Sequence, residues 1–166
     1  MILVTVGTNE ARFDRLLLAL EAIDFDEDVV VQHGPSPIRP AGAECFEFLP
    51  FERLVDHMRA ARVVVTHAGV GSVMTALSVG KRPIVMARLR RFQEAVDDHQ
   101  LAFARNAHRA GLVTLVDDVD GLAEAVLHAG AESKPFANGA PHLATELNEY
   151  LHDRIRARGS SSVGPR

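Results

Sequence analysis

The chain has 166 residues, enough for one domain with a tail and for a buried core, with no room for a second full domain. Its 47% hydrophobic, 24% charged and 5% aromatic residues describe an ordinary globular protein and exclude a disordered or fibrous one. A formal net charge of -4 gives no global reason to bind nucleic acid, and the single cysteine, Cys45, excludes an internal disulfide, a cysteine zinc cluster and a redox pair, which points to a reducing, cytoplasmic setting.

The opening "MILVTVGT" has no basic leader, and its apolar run stops at Gly7, far short of the roughly 20 residues that span a bilayer. It reads as neither signal peptide nor membrane helix. "ILVTV", Ile2 to Val6, predicts a first buried strand, and Phe13, Leu16, Leu17, Leu20 and Ile23 recur on one helix face. "DVVVQH", Asp28 to His33, predicts a second strand, the Pro/Gly-rich "GPSPIRPAGA" a loop, and "ECFEF", Glu44 to Phe48, a short third strand. "PFERLVDHMRAA" opens on a proline suited to a first helical turn and sets Phe51, Leu54, Val55 and Met58 on one face. "RVVVTH" is the fourth strand, Val70 to Val79 a short helix closed by Gly80, and "RPIVMA" the fifth strand. A helix is expected from Val96 to Gly111, then "LVTLV" as a sixth strand and "DGLAEAVLHAG" as another helix. Finally, "PHLATELNEYLHDRIRAR" repeats Leu143, Leu147, Tyr150, Leu151 and Ile155 as an amphipathic stripe, able to pack on the chain's own sheet or to face a partner. This alternation predicts an α/β domain over residues 1–157, a single open parallel sheet of about six strands with helices on both faces, and a disordered tail over 158–166.

In such a sheet ligands bind outside the carboxyl ends of the strands, so the residues that follow each strand carry the chemistry. Three segments should converge there: Gly7-Thr8-Asn9, then His67-Ala68-Gly69-Val70-Gly71-Ser72, then Arg88 to Arg91 leading into Asp97-Asp98-His99-Gln100. Gly69 and Gly71 let backbone N–H groups approach an anion, and the helix that follows offers its unpaired N–H groups and positive dipole end, as a diphosphate requires. Ser72 is placed to cap that helix or to donate to a phosphate oxygen, and His67 to donate an imidazole N–H. The bland alternative is that the glycines make only a tight connection. Thr8 is equally a helix cap or a phosphate neighbour. "DDHQ" suits the vicinal hydroxyls of a sugar, or simply the first turn of a helix. The basic run Lys81, Arg82, Arg88, Arg90 and Arg91 is either a solvated face, a neighbour of the diphosphate, or a surface for an anionic partner or membrane. No G-x-x-x-x-G-K-[ST] frame surrounds Lys81, and strand one lacks G-x-G-x-x-G, so a Walker loop and an NAD site are both excluded. The histidines have no metal-ligand spacing, and no metal is expected.

In "VTVGTN", "FLPFERLVDHMRAARVVVTHAGVGS" and "GKRPIVMARLRRFQEAVDDHQ" the chain resembles the C-terminal, donor-binding domain of glycosyltransferase family 28, one Rossmann-like half of a GT-B enzyme. It is most similar to the small soluble subunits of split sugar transferases, those of dolichol-linked N-acetylglucosaminyl transfer and of bacterial exopolysaccharide synthesis. The resemblance implies a diphosphate held by Gly7, Thr8, His67, Gly69, Val70, Gly71 and Ser72, and a donor sugar beside Asp98, His99 and Gln100. It further implies Asn9 and Arg88 in the interdomain cleft and Phe48 and Leu49 near the uracil. Many relatives carry Glu three residues after the serine for the ribose hydroxyls; this chain has Thr75.

The function implied is that of the donor-binding subunit of an inverting UDP-sugar glycosyltransferase. A UDP-sugar is its substrate, with no cofactor and no metal, and a membrane-anchored partner brings the lipid-linked acceptor and the catalytic base to the inner face of the membrane. His67 stands as a stabiliser of the leaving group. Two rival readings are a non-catalytic nucleotide-sugar-binding or scaffold protein and a self-sufficient homo-oligomeric transferase.

Overall fold

The computed structural model describes residues 1–129. Six parallel strands form one sheet: β1 (Ile2–Thr5), β2 (Val29–Gln32), β3 (Ala43–Phe46), β4 (Val63–His67), β5 (Ile84–Met86) and β6 (Thr114–Val116), in the spatial order β3-β2-β1-β4-β5-β6. Five α-helices connect them: α1 (Asp14–Glu21), α2 (Phe51–Ala60), α3 (Val70–Ser78), α4 (His99–Arg109) and α5 (Val119–His128). The α/β class, the parallel sheet and the number of strands agree with the sequence expectation.

The strand pleat sorts the core into two layers. Ile2, Val4 and Val6 face one side and meet Phe13, Leu16, Leu17 and Leu20 of the α1 region together with Leu122 and Val126 of α5. Leu3, one residue out of phase, faces the other side with Val30 and Val64 and meets Met58 of α2 and Ala76 of α3. Both faces are therefore covered, which is why the strands read as unbroken apolar runs.

The strand order decides where a ligand fits. From β1 the chain winds outward through β2 and β3; from β4 it winds the opposite way through β5 and β6. The connections part between β1 and β4, whose residues pair from Ile2↔Val63 to Thr5↔Thr66, and a crevice opens beyond their carboxyl ends.

Three boundaries differ from the sequence reading. The third strand ends at Phe46, because Phe48 is 49% exposed and the Leu49 N–H donates to the Gln32 side chain instead of to a strand neighbour. The helix expected from Val96 begins at His99: Val96 is 87% exposed, and the carboxylates of Asp97 and Asp98 accept from the His99 and Arg90 backbone N–H groups, holding the approach as a loop. Before it lies an unforeseen 3₁₀ turn, Arg90–Phe92, closed by Gln93 at φ +58°. The stripe from Leu143 to Ile155 and the tail 158–166 lie outside the described residues.

Candidate functional site

Gly7 follows β1 at φ +78°, a conformation that suits a residue without a Cβ. Across the crevice, the His67 ring at the end of β4 occupies the space that side chains at positions 7 and 69 would need. A Cβ on Gly7 would stand 2.1 Å from Nε2 of His67, and one on Gly69 2.0 Å from its Cε1. Two of the three motif glycines are thus explained by one imidazole.

The hydrogen bonds of that ring fix its proton. The Gly69 N–H donates to Nδ1 at 2.8 Å, so Nδ1 is bare and the ring proton of the neutral form sits on Nε2, 3.2 Å from the Ser72 Oγ. Burial, and secondarily the charge of Arg88, pull the His67 pKa down to about 4, with a side-chain hydrogen bond to Gln100 opposing. The imidazole is neutral at physiological pH.

Gly71 has no such explanation. A Cβ there would meet nothing within 4 Å among the described residues. It lies in the first turn of α3, whose N-cap, Gly69, offers no side-chain bond, and the first intrahelical donor is Val73, to the Gly69 carbonyl. The N–H groups of Val70, Gly71 and Ser72 have no partner among the described residues. Three backbone donors and the positive end of a helix dipole thus open onto the crevice beside a residue with no side chain.

The other expected residues fall into two groups. Thr8 and Asn9 are exposed in the loop after β1; Asn9 turns back to accept from the Ala11 N–H, and Thr8 caps no helix, since α1 starts only at Asp14. Asp98 and His99 are exposed at the start of α4, His99 paired with Asp97, while Gln100 is buried, its Oε1 accepting from the Arg88 N–H. Phe48 stands exposed before α2, with Leu49 half-buried beside it. Thr75, one turn along α3, donates its hydroxyl to the Gly71 carbonyl.

Arg88 corrects the sequence reading. Expected in the cleft as part of a basic surface run, it is fully buried, because its guanidinium donates to the carbonyls of Val6, Ala11, Arg12 and Glu94 and lies 4.8 Å over the Phe13 ring. Desolvation lowers its pKa to about 10, against the opposing pull of Glu94. It staples the loop after β1 to the loop after β5. Lys81 likewise spends its ammonium on the Ala61 carbonyl. Arg90 and Arg91 remain exposed.

Two residues of this framework were not anticipated. Gln32, 1% exposed at the end of β2, donates to the Gly7 carbonyl and accepts from the Leu49 N–H, joining the loops after β1 and β3. Its only trace in the sequence is an amide at the end of an apolar strand. Glu94, 4% exposed, accepts from Arg15 through both oxygens and from the Leu89 N–H, holding the 3₁₀ turn against α1. The groove lined by Arg15, Leu18, Phe92 and Val119 runs beside that turn and contains none of the expected diphosphate residues. Among the described residues no cluster of three or more His, Cys, Asp or Glu could hold a metal ion, and no helix is long and apolar enough to cross a membrane.

A six-stranded parallel sheet with helices on both faces and a switch point between β1 and β4 defines the Rossmann-like α/β class of domain that forms one half of GT-B glycosyltransferases. The chain belongs to the family described as glycosyltransferase family 28 C-terminal domain, whose model matches residues 1–152. Among curated relatives, the "UDP-N-acetylglucosamine transferase subunit ALG13" of Yarrowia lipolytica is 33% identical over 69 residues, 42% of this chain and 33% of that protein. The human protein of the same name is 27% identical over 123 residues, 66% of this chain. The match thus spans only a third of the yeast relative's length and 10% of the human one's. The solution structure of ALG13 superposes with a TM-score of 0.58 at 18% identity, covering 88% of this chain and 93% of that one. The calicheamicin glycosyltransferase CalG4 gives 0.58 at 20% identity, over 93% of this chain and 43% of that chain. At these identities the structures support the fold.

Proposed function

We propose that the chain is the donor-binding part of an inverting UDP-sugar glycosyltransferase, acting with a membrane-anchored partner that supplies a lipid-linked acceptor for polysaccharide or glycolipid synthesis. The observation that carries this reading is the N–H trio of Val70, Gly71 and Ser72 at the switch point, without a partner among the described residues, beside a glycine whose missing side chain makes room for none of them. Similarity to ALG13, a UDP-N-acetylglucosamine transferase subunit, favours UDP-N-acetylglucosamine as the donor and a partner for the chain.

In this reading the diphosphate rests on the start of α3, with Gly7 and Thr8 across the crevice, the sugar lies toward Asp98, His99 and Gln100, and the uracil lies toward Phe48 and Leu49. The acceptor hydroxyl attacks the anomeric carbon, the bond from that carbon to the diphosphate oxygen breaks, and the hydroxyl proton passes to a base on the partner. Negative charge grows on the departing diphosphate, where fixed amide dipoles stabilise it without reorganising. The reaction needs no metal in this scheme.

Calorimetric titration of the chain with UDP-N-acetylglucosamine tests the site. Gly71→Asp, which sets bulk and negative charge among the amides, is expected to abolish binding. Unchanged affinity in that variant overturns the assignment. Sugar transfer by the chain with a co-expressed membrane partner, and none by the chain alone, separates this reading from both a non-catalytic scaffold and a self-sufficient homo-oligomer.

A further inference from the structure

The imidazole of His67 has no ring nitrogen left for a ligand. Nδ1 accepts from the Gly69 N–H, and the Nε2 proton faces the Ser72 Oγ at 3.2 Å. Protonating Nδ1 would set two N–H groups against each other at the Gly69 contact, with the buried guanidinium of Arg88 adding its own repulsion; Gln100 of α4 is the other polar group at the ring. A serine hydroxyl has one hydrogen and two lone pairs. With one lone pair taken by His67, the hydrogen is directed away from the ring and left for another acceptor, on a residue whose own N–H has no partner among the described residues.

We propose that His67 is a positioning residue that acts on the diphosphate through Ser72, orienting the serine hydroxyl as a donor, and does not itself touch the donor substrate. This rests on the donor-binding reading above and revises the role of leaving-group stabiliser that the resemblance assigns to His67. It also gives the chain Gly69 N–H to His67 to Ser72 a direction. Each member donates to the next, so the hydroxyl gains polarity from the bonds behind it.

The test uses the full chain and UDP-N-acetylglucosamine, whose fully esterified diphosphate lacks the ionisation near pH 6 of a terminal phosphate. Ser72→Ala is expected to weaken binding about tenfold, the scale of one hydrogen bond to a charged group. His67→Leu, which removes the donor to Ser72, is expected to lose about as much. The double variant should bind no worse than Ser72→Ala alone, because the histidine has nothing further to contribute. His67→Gln, which keeps an N–H at the ε position, should stay within about threefold of the parent. Losses that multiply to about a hundredfold in the double variant overturn the proposal and show a direct contact by His67.

Should the position 67 variants not fold, ¹⁵N spectra of the parent chain decide the question. A ring protonated only on Nε2 and unchanged from pH 5.5 to 8 supports the proposal, whereas titration near the ordinary value of about 6.5 overturns it. Absence of any binding by the parent chain overturns the donor-site reading and this inference with it. Multiplying losses overturn only the inference.

Discussion

Nε2 of His67 lies 2.1 Å from where a Cβ on Gly7 would stand, so the ring and a side chain at position 7 exclude one another. A Cβ on Gly71 would meet none of the described residues within 4 Å. Substitutions at the two glycines are therefore expected to separate stability from binding. Gly7→Ala adds a Cβ at φ +78° and displaces His67, and is expected to cost about 2–4 kcal/mol in urea unfolding. Gly71→Ala, in an open helical turn, is expected to leave stability unchanged or raise it by up to about 1 kcal/mol, while weakening UDP-N-acetylglucosamine binding about tenfold as the methyl enters the amide surface. Equal stability loss in both variants would refute the distinction.

Arg88 reaches four carbonyls from three segments, and an ammonium matches neither that reach nor its planar fork. Arg88→Lys is expected to lower unfolding free energy by about 2–4 kcal/mol, because buried carbonyls of Val6 and Ala11 lose their partner. Hydrogen exchange should rise first in residues 7–13, the loop that the guanidinium pins. Substitution of the exposed Arg91 by Lys should change stability by less than about 0.5 kcal/mol.

Acid acts on two groups in sequence. The folded pKa of His67, about 4, lies below its ordinary 6.5, so the unfolded chain takes up the proton first; this contribution is complete above pH 6.5 and is lost as pH falls toward 4. It amounts to about 3 kcal/mol across that window. Glu27, held down to about 2 chiefly by its hydrogen bond with Arg62, contributes above its ordinary 4.5 and is lost as pH falls toward 2. Because Arg62 is 40% exposed, solvent screening holds this second loss to about 1 kcal/mol. His67→Gln should flatten the upper limb of the stability–pH curve and Glu27→Gln the lower one; unfolding series from pH 7 to 2.5 check both.

Thr75 bonds back to the Gly71 carbonyl one turn below the amide trio, at the position where the resemblance implies a glutamate for the ribose. Thr75→Glu is expected to tighten UDP-N-acetylglucosamine binding about five- to tenfold, as a carboxylate accepts from ribose hydroxyls. Tightening should vanish with a 2′-deoxyribose analogue. Equal affinity for both sugars in the variant would place the ribose elsewhere.

The linear chain alone determined the α/β class. Runs such as "ILVTV" and "RVVVT" are apolar on both sides because helices cover both sheet faces, and local periodicity was enough to place the helices between them. "HAGVGS" was legible as a strand-to-helix turn, since glycine and helix termini act locally. What the sequence left open depended on contacts across distant segments. Gly7 and Gly69 look alike with Gly71 on paper, yet the first two make room for an imidazole and only the third leaves open space. Arg88 reads as one more member of a basic run, but the fold turns it inward, where four carbonyls, up to 82 positions from it in sequence, compensate its desolvation. Gln32 joins two loops for the same reason. Periodicity reports which way a residue faces, whereas the partner that satisfies a buried polar group is chosen by tertiary structure alone.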